Sequence, residues 1–199
     1  MVTWPDMPPT PLTSAHLRGA AASVLISAVF AVIWGLNGSL ALAGTWRLLA
    51  LLLVAGITAA LAGVALKLRC EAAHAPAPPG KGPPNPFLTT AYRVSVIAMV
   101  LAFPVAARLL TANGLEDAIM AAIAIIVGLH FFGLVPAFRN GAFAGVGGAL
   151  CVLGVAALFL PVGIRTAVLG LGCAAILWLG VTSPALRSLG QLRRGHTSA

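Results

Sequence analysis

The chain has 199 residues, 60% of them hydrophobic and only 8% charged, with a mean hydropathy of +1.02. A water-soluble domain carries about 25% charged residues, so this composition excludes a fold that faces water on all sides and points to lipid. The net charge of +8 comes from twelve Lys and Arg scattered at segment ends, a pattern of membrane topology rather than of a nucleic-acid-binding face.

Residues 1–16 open with MVTWPDMPPTPLTSA, rich in proline and threonine and without helical periodicity, and are expected to form a disordered arm. Six apolar runs follow within residues 17–186, at about 19–36, 48–66, 94–112, 118–138, 141–164 and 166–186. Each approaches the ~20 residues that a bilayer-spanning helix needs. The expected fold is therefore all-α, a polytopic transmembrane bundle of six spans. ALAG at 41–44 has the form of a small-residue cleavage site. The run before it is longer than a signal core, and the arm lacks clustered positive charge, so it is expected to stay as the first span.

Between the second and third spans lies KLRCEAAHAPAPPGKGPPNP, within a loop taken as 67–92. Its prolines and glycines favour an extended linker, which divides the chain into a two-helix and a four-helix unit. The other connections are short, so helices that follow one another there run antiparallel. TANGLED, between spans three and four, has Asn-Gly turn chemistry. Glu116 and Asp117 then fall at the next helix N-terminus, where the macrodipole favours negative charge. Pro136 and Pro161 fall near helix ends, and Trp34, Trp46, Trp178 and Tyr92 are expected as interfacial anchors. Asn37 and Ser39 are placed in the first outer loop. A polar, basic tail is expected over 187–199.

With the N-terminus in the cytoplasm, six spans return the C-terminus to the same side. Nine of the twelve cations, Arg18, Lys67, Arg69, Lys81, Arg93, Arg139, Arg187, Arg193 and Arg194, then lie inside, and Arg47, Arg108 and Arg165 outside. That bias supports both termini cytoplasmic. Arginine and alanine richness fits a GC-rich bacterial genome and hence the inner membrane. Cys70, Cys151 and Cys173 show no pairing framework or metal spacing and are expected as free thiols.

Ionisable groups inside a span are functional candidates by default, and there are two: Arg108 in span three and His130 in span four. No Asp, Glu or Lys lies within a span, which disfavours carboxylate proton relays and HExxH proteases. Arg108 lies four residues from its helix end, about 6 Å of rise. It can snorkel to the interface beside Glu116 or Asp117, or serve an anion in an outward-facing cavity. Pro104 removes a backbone donor and frees the Val100 carbonyl. Taking Arg93 and Arg139 as level, Val100 and His130 fall at similar depth, so a bond between imidazole and carbonyl is expected to pair spans three and four. Haem ligation would need a second buried histidine, which the chain does not supply. No metal or cofactor is expected.

Gly141, Gly145 and Ala149 in span five repeat every four residues, the small-xxx-small pattern of close helix packing; Gly56, Ala60 and Gly63 do something similar in span two. Packing within the chain or against a second copy are the alternatives.

VGLHFFGLVPAF, from Val127 to Phe138, resembles the VGLHF-PLA signature of uncharacterised small bacterial six-span membrane proteins, departing from it at Gly133, where the signature has proline. The likeness implies fold and location and no active site. Two functions are carried forward. One is a non-enzymatic accessory or scaffold protein, whose partners are the bilayer and a second copy or another membrane protein. The other is a transporter or channel for a small neutral or anionic solute using Arg108 and His130.

Overall fold

The computed structural model describes residues 13–77 and 86–197, with side chains through residue 180. Among these residues the chain is helical without strands: α1 (Ser14–Leu40), α2 (Gly44–His74), α3 (Thr90–Ala112), α4 (Ile119–Phe138), α5 (Ala142–Leu158) and α6 (Val162–Thr197). Five of the six are long and apolar enough to cross a membrane, and α5, over Ala142–Leu158, is a shorter apolar helix. The protein is thus an all-α, multi-pass membrane protein in its composition and helix lengths.

The helix ends have local causes. Thr13 caps α1, its Oγ1 accepting from the His16 amide at 3.4 Å, so the expected arm over 1–16 gives way to helix at Ser14; residues 1–12 lie outside the described residues. Thr89 caps α3 in the same way, accepting from the Tyr92 amide at 3.3 Å. Asn113-Gly114 closes α3 as a Schellman turn, with Leu115 N–H donating to the Leu110 carbonyl and Gly114 N–H to that of Thr111. Gly114 has φ +67° there. Glu116 and Asp117 follow in a short 3-10 turn at the mouth of α4.

Four boundaries differ from the sequence reading. α1 continues to Leu40 because Asn37 and Ser39, taken for loop residues, turn their side chains back onto the carbonyls of Ile33 and Gly35 at 2.8 and 2.7 Å. α2 runs through Lys67 and Arg69 to His74, since cations in a helix leaving the membrane need not break it. α5 ends at Leu158, six residues early, because Pro161 cannot donate within a helix and α6 starts at Val162. The backbone of α6 stays helical to Thr197, where a tail was expected from 187. The expected loop over 67–92 is accordingly shorter.

In space the helices follow the order α2, α1, α6, α5, α4, α3, each antiparallel to its neighbour. Both described chain ends therefore lie at one end of the bundle. The two-helix unit docks onto the four-helix unit through α1 and α6, the first and last helices. Gly38 and Gly170 set that contact. A Cβ on Gly38 would meet the Leu171 backbone nitrogen at 2.6 Å, and one on Gly170 would meet the Trp34 carbonyl oxygen at 2.6 Å. Ser39 beside them is fully buried. Trp34 and Trp178 are also buried, correcting their assignment as interfacial anchors, whereas Trp46 is 72% exposed.

Glycine does the same work between α4 and α5. A Cβ on Gly128 would meet the Gly147 carbonyl at 2.7 Å, and one on Gly154 the Ala121 carbonyl at 3.0 Å. In lipid no hydrophobic force drives helices together, so this close backbone approach is a main source of attraction. The stripes singled out in the sequence are different residues. Gly141, Gly145 and Ala149, and Gly56, Ala60 and Gly63, are all exposed, and a Cβ on any of the four glycines would meet nothing within 4 Å. The expectation that they pack the chain on itself is corrected: each repeat occupies the opposite side of its helix from the residues that make contact.

At the end of the bundle holding Asp117, Arg165 ties three segments together. Its guanidinium donates to the carbonyls of Asp117, Leu158 and Leu160 at 3.1, 3.3 and 3.1 Å, supplying donors to the open C-terminus of α5. Arg165→Ala is expected to destabilise the folded protein by about 2 kcal/mol, read as a lowered unfolding midpoint in detergent. Gly38→Leu is expected to cost more than about 3 kcal/mol through overpacking, whereas Gly56→Leu should leave the monomer's melting temperature unchanged.

Candidate functional site

His130 lies in the third turn from the C-terminal end of α4, and the helix order gives it one neighbour on that flank, α3. The Ser95 Oγ stands 2.8 Å from His130 Nδ1 and 3.0 Å from the His130 carbonyl oxygen. A hydroxyl has a single proton. Both contacts are satisfied together when Ser95 donates it to the carbonyl and accepts from Nδ1–H, a tautomer assigned from the bonding rather than from hydrogen positions. Nε2 then carries the ring's lone pair. The histidine is satisfied by a neighbouring helix, and its partner is not the Val100 carbonyl.

The difference is one of register. Val100 lies five residues beyond Ser95, about 7.5 Å further along α3. Arg93 and Arg139 are not level as expected, because α3 sits deeper against α4. Gly133 makes the register possible: a Cβ there would collide with Ser95 Oγ and lie 2.7 Å from Ser95 Cβ. This is the position at which the chain departs from the VGLHF-PLA signature, and a proline at 133 would strike the serine. Pro104 is inside α3, nine residues and about 14 Å beyond Ser95, and takes no part.

An aromatic chain lies between this pair and the end of the bundle. Phe87 meets Tyr92 and Phe138 edge-on at 5.2 and 5.4 Å between centroids, and the Tyr92 and Phe138 rings are 6.2 Å apart. Phe138 contacts Phe143 at 5.1 Å, Phe143 contacts Phe131 at 6.0 Å, and Phe131 meets the His130 ring at 6.1 Å. These rings join the start of α3, the end of α4 and the start of α5. They hold α3 in place, since no residue of α3 is fully buried.

Arg108 is not part of this group. It is exposed on α3, thirteen residues from Ser95 or about 20 Å along the axis. Among the described residues it forms no ion pair with Glu116 or Asp117. The structure brings His130 together with Ser95, Gly133 and Phe131, and leaves Arg108 and Pro104 elsewhere. Ser95 was missed because a lone serine in an apolar run has no distinguishing pattern. Its one signal is a small residue facing a glycine on the next helix.

Chemically, the pair has the elements of a serine nucleophile and a histidine base, yet the proton bookkeeping runs the other way. A base must accept the hydroxyl proton, and in the tautomer assigned here that proton goes to the His130 carbonyl. The arrangement is a polar lock between helices. No group of three His, Cys, Asp or Glu side chains that could hold a metal exists among the described residues. Cys70 is exposed, Cys151 half-buried and Cys173 buried, all as free thiols. Comparison with protein-family models, curated proteins and solved structures finds no match to this chain.

Ser95→Ala leaves the imidazole N–H without its partner and should cost about 1–2 kcal/mol in a detergent unfolding series. Gly133→Ala should cost at least as much in the native background and much less beside Ser95→Gly. A coupling of more than about 0.5 kcal/mol between the two sites is the expected result of that double-mutant cycle.

Proposed function

We propose that this chain is a non-enzymatic accessory or scaffold protein of a bacterial inner membrane. In this reading it spans the bilayer six times with both termini cytoplasmic, as the nine-to-three distribution of cations favours. It is related to the small six-span proteins whose VGLHF-PLA signature its Val127–Phe138 segment resembles. Its partner is a second copy of itself or another membrane protein.

One observation carries the reading. The two small-residue faces, Gly56, Ala60 and Gly63 on α2 and Gly145 and Ala149 on α5 with Gly141 at its N-cap, point outward with nothing against their glycines. Glycine in a helix interior costs about 0.5–1 kcal/mol relative to alanine, and inside lipid its return is close approach of another helix. Within the chain that return is collected by Gly38, Gly128, Gly147, Gly154 and Gly170. The outward set has no such return until something packs against it. A solute pathway through Arg108 and His130 is the alternative; it has less support, since Arg108 is exposed on α3 and shares no bond with His130 or Ser95.

Affinity purification in mild detergent should recover a stoichiometric membrane partner or a stable oligomer. Gly56→Leu and Gly145→Leu should fold as the parent does and lose that association, whereas a parent chain that remains monomeric and unaccompanied in mild detergent and in bilayers would overturn the assignment.

A further inference from the structure

We propose that Arg93 and Arg139, set beside the aromatic group at the end of α4, form a binding site for the phosphate of one anionic phospholipid. The inference is independent of the accessory reading and requires only that the helices lie in a membrane.

Five described cations border apolar runs at the end of the bundle where α1 begins: Arg18, Lys67, Arg69, Arg93 and Arg139. All five are exposed, and none donates to another described group. At the opposite end two of the three cations are occupied by peptide carbonyls, Arg47 by that of Leu42 at 2.8 Å and Arg165 by three acceptors. Among the described residues, the cations of the near end thus have no acceptor.

Two of the five adjoin residues whose rings meet. Arg93 directly follows Tyr92, and Arg139 directly follows Phe138, and those rings are 6.2 Å apart. With Ser95 packed on Gly133, Arg93 lies about 6 Å, roughly one helical turn, deeper than Arg139. Side chains rooted so close, on long flexible stems, can meet at one phosphate. Among the described residues no carboxylate is near: Glu71 belongs to α2 at the far end of the row, and Glu116 and Asp117 lie at the other end of the bundle.

The backbone supplies an independent sign. Arg139 is the one non-glycine residue at positive φ among those described, φ 50° and ψ 39°. A helix of this kind usually closes on glycine, and Gly141 stands only two residues on. Strain kept at a charged, exposed residue points to a use for the side chain. The surroundings favour lipid over a soluble anion. Arg139 follows the last apolar residue of α4, at headgroup depth, and Arg93, a turn deeper, can reach that level along its stem. Phe87, Tyr92, Phe138 and Phe143 offer apolar and amphipathic surface of the kind found at that level. Guanidinium pairs bind phosphate bidentately, and a phosphodiester at this depth also neutralises two neighbouring like charges.

The full chain in zwitterionic micelles is titrated with phosphatidylglycerol, with phosphatidylcholine or with inorganic phosphate, and its melting temperature and bound lipid are measured, the latter by native mass spectrometry. Phosphatidylglycerol should raise the melting temperature and stay bound, and phosphatidylcholine should do neither. Arg93→Gln should weaken retention about fivefold and the pair Arg93→Gln with Arg139→Gln about 25-fold, from the usual attraction per basic residue at an anionic membrane surface. Arg139→Gly relieves the left-handed strain, so it should fold at least as well as the parent and still lose lipid. Arg18→Gln, a free cation on the same side but on α1, should retain it. Equal effects of the two lipids, an equal loss in Arg18→Gln, retention in Arg139→Gly, a matching shift with inorganic phosphate, or a salt-sensitive acidic protein held by the same arginines in place of lipid would each overturn the proposal.

Discussion

The bundle depends on the contact of two peptide backbones, where Gly38 of α1 meets Gly170 of α6. Lipid offers no gain for burying leucine against leucine, so helices associate where their main chains can approach closely. At this crossing there is no room for a Cβ on either side. Trp34, Ser39 and Leu169, all buried, surround the contact. Every larger relationship follows from it: the hairpin of α1 and α2 joins the remaining four helices chiefly through α1, and α6 sits mid-row with α5 on its other flank. The glycine contacts between α4 and α5 repeat the device, with Cys151 donating to the Ile125 carbonyl at 3.6 Å.

Attachment weakens away from this centre. α3 touches chiefly α4 and contains no fully buried residue, so it has little packing to orient it. What fixes it is polar and aromatic: Ser95 on His130, and the rings from Phe87 to Phe143. A histidine in an apolar run is expensive when left unpaired, but bonded across helices it specifies one register where leucines alone would permit several. His130 serves the peripheral helix as glycine serves the central ones.

Much of the fold was legible in the sequence because hydropathy is a one-dimensional signal. The helices, their antiparallel succession and the Asn113-Gly114 turn can all be read from local composition. Helix ends were harder where chemistry and geometry part. Asn37 and Ser39 look like loop residues until their side chains bond back to their own helix, and Lys67 looks like an ending although α2 continues past it. Packing partners were not legible. Gly38 lay in a presumed loop, Gly170 and Ala174 form only a single small-xxx-small step, and the two regular glycine stripes pointed outward. A repeat identifies a face but not what lies opposite. The error at His130 had the same root, since the depth of one helix against another depends on tertiary contacts such as Ser95 on Gly133, which no periodicity records.

The pairing of α1 with α6 also sets an order in time. The ribosome delivers Gly38 early and Gly170 only after roughly 130 further residues, which at 5–20 residues per second is about 7–26 s. Through that interval the α1–α2 hairpin sits in the membrane with its most confined surface uncovered, including a serine that will end fully buried. Bonding of Ser39 to its own Gly35 carbonyl keeps that hydroxyl satisfied while the hairpin waits. The hairpin can therefore remain in lipid unfinished until α6 completes the seam that α1 opened.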